Sequence, residues 1–230
     1  MEQSLILSIE TSGAACSVAL SQAGKVVGTV TLDDSNRQSS MLVPAIESLF
    51  RQCSVKMSDC DAVAVSSGPG SYTGLRVGVS TAKGLCYGLG KPLIAVPTLE
   101  VLFAEAMSME ECAGADYFVP MLDARRMEVY QAVYDSSGNC IEEVSAKILD
   151  AGSYCDLLSK GKVVFIGTGA QKYRDAFPHP AGIYFPAAPK ASFMAAAAQA
   201  AFEAGRFEDV AYFEPFYLKE FVAIVKKNPI

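Results

Sequence analysis

Three stretches of this chain carry residues that could do chemistry: Glu10-Thr11-Ser12, the glycine loop spanning Gly68, Gly70 and Gly74, and Asp123 with the downstream Gly167-Thr168-Gly169. An acid at a strand end, as at Glu10 or Asp123, can face a nucleotide-bound metal ion. The plainer roles are a turn cap for Glu10 and an ion pair with Arg125 or Arg126 for Asp123. The glycine loop runs from a strand into a helix, where free backbone N–H groups and the helix dipole favour an anion. It does not fit the Walker A frame, which would need glycine in place of Pro69 and lysine in place of Leu75. It also misses the dinucleotide fingerprint, since Gly68 and Gly70 are followed by Gly74 rather than by a glycine at 73. The competing reading is a tight turn leading into a closely packed helix.

Hydrolytic centres are hard to assemble. His179 is the single histidine, set between Pro178 and Pro180 in an expected surface loop, and no HExxH occurs, so a zinc protease is excluded. A serine triad would need that histidine buried beside a serine. Seven scattered cysteines without a CxxC pair read as free thiols of a reducing compartment. A net charge of −6 argues against this chain binding nucleic acid by itself, so a partner must bring the positive surface. No apolar run approaches the roughly 20 residues that span a bilayer. The N-terminus meets Glu10 too early for a signal peptide, and a cytoplasmic protein without a membrane is expected.

The elements that must hold these residues follow from periodicity. Residues 5–9, 17–20 and 26–32 read as an antiparallel meander punctuated by Gly13 and Gly24. Met41, Leu42, Ala45, Ile46, Leu49, Phe50 and Cys53 make one broad stripe on a helix over 39–53. A buried strand at 62–66, the glycine loop, a helix over 73–88, a strand at 93–96 and a helix over 98–107 give a βαβ unit with parallel pairing. After an acidic, turn-rich hinge at 109–115 the pattern restarts, with strands at 117–122, 128–134, 141–144 and 163–166. Helices are expected at 152–158 and 192–204. The tail reads as an irregular wrap with a strand-like 222–225. The halves share an order of strands followed by a glycine loop, without a convincing sequence repeat.

The helix over 73–88 has three faces. Leu75, Val79, Ala82, Cys86 and Leu89 form a core stripe. Gly74, Gly78, Thr81 and Gly88 are small enough for another helix to approach, and Arg76, Ser80, Lys83 and Tyr87 line a wet face suited to an interface.

The segments IETSGAACSVAL, SSMLVPAIESLF, SSGPGSYTGLRVGVSTAKGL, MLDARRMEVY, IGTGA and EPFYL, in this order, resemble the TsaB (YeaZ) family over nearly the whole chain. The resemblance implies a two-lobed α/β fold of the actin-like, Hsp70 and sugar kinase ATPase class (ribonuclease H-like), with mixed sheets flanked by helices. The lobes would be residues 1–108 and 109–230, with the alanine-rich helix and tail returning to the first lobe. It implies a non-catalytic scaffold that pairs with TsaD and TsaE for threonylcarbamoyl transfer to the adenosine beside the anticodon of tRNA. In isolation such a chain forms a homodimer, and it meets tRNA only through the complex.

On that reading the partner interface is Met41, Ala45, Leu49, Arg76, Ser80, Lys83 and Tyr87, and there is no catalytic or metal-binding residue. The vestigial or complex-dependent nucleotide loops are Glu10, Thr11, Ser12, Gly68, Gly70, Gly74, Asp123, Gly167 and Gly169. No cofactor binds the lone chain, and ATP or ADP with magnesium enters only with the partner. TsaD-like relatives carry a His-x-x-x-His metal pair where Thr98 and Leu102 stand here. A glycoprotease-like, M22 peptidase-like activity finds no support in the single histidine. The rival reading is an autonomous small-molecule kinase or ATPase that uses the same loops about a magnesium nucleotide.

Overall fold

Strands β1 (Leu5–Glu10), β2 (Cys16–Gln22) and β3 (Lys25–Leu32) pair antiparallel in sequence. The computed structural model describes residues 4–32 and 38–219; the expected strand-like 222–225 lies outside them. Helix α1 (Gln38–Gln52) leads to β4 (Ala62–Ser66), which joins β1 in parallel. Helix α2 (Tyr72–Leu89) then crosses to β5 (Leu93–Val96), parallel to β4, so the sheet order is β3-β2-β1-β4-β5. Gly90 ends α2 in the left-handed conformation at φ 63°, the usual glycine stop.

Period-two alternation divides this sheet between two cores. Leu5, Leu7, Ile9, Val63 and Val65 face α1 and α2, in contact with Leu42, Ile46, Leu49, Val79 and Cys86. Ile6, Ala19, Ala62 and Ala64 face the other way, against Ala198 and Ala201 of the distant alanine-rich helix. Small residues on both sides of that contact let helix and sheet approach closely.

The second sheet repeats the plan. Strands β6 (Tyr117–Asp123), β7 (Glu128–Asp135) and β8 (Cys140–Ile148) form the meander, and β9 (Val163–Ile166) and β10 (Gly182–Phe185) add in parallel, giving β10-β9-β6-β7-β8. Position by position, β6 to β10 stand where β1 to β5 stand in the first sheet. The helices differ. The short α4 (Cys155–Leu158) takes the place of α1, and α5 (Thr168–Ala176), half the length of α2, follows the second glycine loop. Neither α5 nor β10 is foreseen from periodicity. The two halves do repeat, in topology rather than in residues, and together they form a two-lobed α/β fold with a mixed five-stranded sheet in each lobe.

Two helices connect the lobes by changing sides. Helix α3 (Thr98–Met107) follows the first sheet in sequence, yet Leu99, Leu102 and Ala106 pack with Phe118, Leu122, Ala132, Val164 and Ile166 of the second. Helix α6 (Ala195–Glu203) follows the second sheet and covers the first. Ser17 Oγ accepts the Ala191 N–H at 2.9 Å, and Lys190 pairs with Glu105 of α3 at 2.5 Å, which fixes this return. A strap over 205–219 then runs along the free edge of β5, where the Glu208 N–H donates to Leu93 O at 2.8 Å. It continues beside α2 as far as Lys219.

Candidate functional site

At the end of β1 the chain buries a carboxylate. Glu10 has no exposed surface, and its Oε1 accepts the Ser12 N–H at 2.6 Å. Its Oε2, with Ser8 Oγ, Thr11 Oγ1 and Ser12 Oγ, has no hydrogen-bond partner among the described residues. Burial pushes this carboxyl above its ordinary pKa, and the hydrogen bond from the Ser12 N–H only partly offsets the shift.

The cause is the interlocking of β1's end with the glycine loop. The Ser71 N–H donates to Ser12 O at 2.7 Å. A Cβ at Gly70 would lie 2.6 Å from Ser12 O, one at Gly74 would collide with the Thr11 carbonyl oxygen, and one at Gly78 with Thr11 Oγ1. Gly68 at φ 113° abuts the carbonyl oxygen of Phe216 in the strap. At the start of α2, Ser71 Oγ accepts the Gly74 N–H at 3.2 Å. The Cβ side of these glycines is thus filled by the end of β1, so the loop packs as a tight turn leading into a closely docked helix. Gly74 and Gly78 receive the end of β1, so this half of the small face expected to admit a partner helix is an internal contact, whereas Gly88 stays open.

The corresponding place in the second lobe is open. Asp123, at the end of β6, keeps 44% of its side-chain surface exposed and pairs with Lys172 of α5 at 2.6 Å; the expected ion pair with Arg125 or Arg126 does not form. Its Oδ1 also accepts the Arg125 N–H, and its own N–H donates to Thr168 Oγ1. Gly167, at φ 117°, lies against the Met121 carbonyl oxygen, and Gly169 meets the side chains of Val129 and Met121. Lys172 was not singled out from sequence. Its place four residues after Thr168 becomes informative only once 168–176 is known to be a helix.

A family model described as TsaD, tRNA N6-adenosine threonylcarbamoyltransferase, matches residues 17–227. An Escherichia coli protein named tRNA threonylcarbamoyladenosine biosynthesis protein TsaB is 31% identical over 226 residues, covering 95% of this chain and 96% of that protein. The chain belongs to the TsaB (YeaZ) family. The Bacillus subtilis protein of the same name is 34% identical over 139 residues, 60% of this chain and 58% of its own length. YeaZ from Pseudomonas aeruginosa superposes with a TM-score of 0.79 at 28% identity, covering 94% of this chain and all of that one.

Within the TsaB frame, the positions at which TsaD-like relatives are expected to carry metal-binding histidines are occupied by Thr98 and Leu102, both without exposed surface. Leu102 packs against the second sheet, and the Thr98 N–H donates to Gly68 O. These residue types and surroundings do not fit a transition metal.

The surface of α1 and α2 needs correction. Ala45 and Leu49 are buried in the first core, because the apolar stripe of α1 is used up against β1 to β3. Met41 is half-buried, and the outward positions of α1 are Val43, Pro44 and Glu47. On α2, Tyr87 is 86% exposed and Ser80 is exposed. Arg76 and Lys83 already serve the strap: Lys83 Nζ donates to Ala211 O and Phe213 O, and Arg76 Nε to Tyr217 Oη while stacking over Tyr72. A Cβ at Gly84 or Gly88 would meet nothing within 4 Å.

Proposed function

We propose that the chain works in the biosynthesis of threonylcarbamoyladenosine in tRNA as a non-catalytic subunit that pairs with TsaD, with TsaE as a further member of the assembly. What supports this reading is the sealed first-lobe pocket. Glu10 is buried and its neighbouring glycines are in contact with Thr11 and Ser12, which locks the end of β1 against the start of α2. The relatives named TsaB supply the pathway. The partner surface on this reading is the outer face of α1 and α2, with Val43, Ser80 and Tyr87 as contacts and the open glycines 84 and 88 as room for an approaching helix. A homodimer uses the same face and competes with TsaD. ATP or ADP with magnesium binds only in the assembly, where the partner supplies the groups.

Mixing the purified chain with TsaD and following mass by light scattering tests the pairing: a one-to-one complex at the expense of any homodimer is the expected result. Free TsaD beside an unchanged chain would refute it. Calorimetry with ATP and magnesium separates this function from an autonomous kinase or ATPase, which requires micromolar nucleotide affinity in the lone chain.

A further inference from the structure

The tip of the β6–β7 hairpin holds a basic cluster on an otherwise acidic protein. Four cations and two carboxylates meet there. Lys172 Nζ is bound to Asp123 Oδ1 and to Glu128 O, and Lys219 Nζ, arriving on the strap, lies 2.6 Å from both carboxylate oxygens of Glu128. Both acids are therefore neutralised by lysines. Arg125 and Arg126 are exposed and have no ion pair or side-chain hydrogen bond in the described structure, so two positive charges stay uncancelled at one point.

The backbone makes this arrangement costly. Arg125 has φ 68° and Arg126 φ 47°, in a turn closed by the Glu128 N–H donating to Arg125 O at 3.1 Å. Glycine or asparagine adopts such angles with little strain, whereas arginine does so at a cost in stability. A turn that accepts this strain, and holds two guanidinium groups free beside acids already taken by other cations, is built to present charge outward. Arginine forks match phosphate oxygens, and adjacent forks suit a chain of phosphates better than one carboxylate.

We infer that Arg125 and Arg126 form a contact for the phosphodiester backbone of RNA. The inference relies on the tRNA-modification reading for the identity of the polyanion. With so few free cations the contact is weak in the lone chain and adds to the positive surface of the partner in the assembly. It reads charge and not base sequence.

The test uses the double variant Arg125→Asn/Arg126→Gly, which removes both charges while relieving the turn. Binding of a fluorescently labelled tRNA transcript is followed by anisotropy across a salt series, once with the chain alone and once with the chain plus TsaD. The expected result is a loss of affinity on the order of tenfold, with a log–log salt slope shallower by about 1.5, as for two lost phosphate contacts. The melting temperature should hold or rise, which a purely structural role for the arginines forbids. Arg174→Gln, on an exposed arginine of α5, is the control and should change neither quantity. Unchanged affinity and slope in the double variant would overturn the inference. So would full displacement of the transcript by equimolar ATP, which would make the tip a nucleotide site. If TsaD does not join the chain, the proposed function fails, and the lone-chain titration still decides the role of the arginines.

Discussion

The two lobes share one strand topology and treat the same corner of it in opposite ways. In the first lobe the acid at the end of the leading strand is buried, and the helix after the glycine loop docks onto it through Gly74 and Gly78. In the second lobe the acid stays at the surface, bridged to Lys172, and the helix after the loop is half as long. The difference shows that the sheet order does not determine whether this corner is a cavity or part of the core. The residues of the helix facing the strand end do. Glycine there lets backbone meet backbone and closes the site, whereas a lysine one turn in leaves it wet and polar.

Gly74→Ala should break this contrast most severely. Alanine gains up to about 1 kcal/mol of helix propensity at an interior position. Its Cβ would, however, strike the Thr11 carbonyl, a backbone atom that cannot step aside, and overpacking of this kind costs about 3 kcal/mol or more. Urea unfolding measures the sum, and a variant as stable as the parent would mean that the first-lobe loops are not locked together.

Glu10→Gln sharpens the contrast through pH. The folded-state pKa of Glu10 is raised by burial, so the unfolded chain releases this proton near the ordinary value of 4.5 while the fold retains it. Stability therefore falls as pH climbs from there to the folded-state pKa. The variant lacks this loss. It should be the more stable protein at neutral pH and converge with the parent below the carboxylate range, as read from melting temperatures over a pH series. Parallel curves would mean that Glu10 is not desolvated.

Gly169→Ala is the second-lobe counterpart of the glycine test. Its Cβ meets the side chains of Val129 and Met121, which can rotate, so about 1–2 kcal/mol is the expected cost by the same unfolding assay. Lys172→Met removes a partly exposed ion pair and should shift stability by less than about 1 kcal/mol, with the difference fading in high salt.

Much of this architecture is legible in the residues. Strands β4, β5 and β9 and helix α3 fall where alternation and apolar runs place them, and α1 and α2 agree within a residue at each end. Helix α5 escapes because its sequence, TGAQKYRDA, buries only Gly169, Ala170 and Tyr173, too few apolar positions to show a stripe. Strand β10 is hidden by prolines at 178, 180 and 186, which read as loop although the strand lies between them at a sheet edge.

The surface residues were less readable for a different reason. The stripe of α1 reveals its width but not the width of the sheet beneath it, so Ala45 and Leu49 looked available when β1 to β3 consume them. Likewise nothing local to Arg76 or Lys83 announces a strap that arrives more than a hundred residues later. The acid and glycine positions were recognisable as a set, whereas the sealing of one lobe and the openness of the other depend on distances that no spacing rule contains.

The exchange of α3 and α6 between the lobes bears on how the protein is made. The back of the first sheet, Ile6, Ala19, Ala62 and Ala64, is covered by Ala198 and Ala201. A ribosome releases those alanines only after all the strands of both sheets have been synthesised. Until then an apolar wall stands bare on the nascent protein, and the first half cannot mature as an independent unit. Translation pausing, or premature termination ahead of Ala198, would leave a sticky partial molecule in place of a smaller functional one.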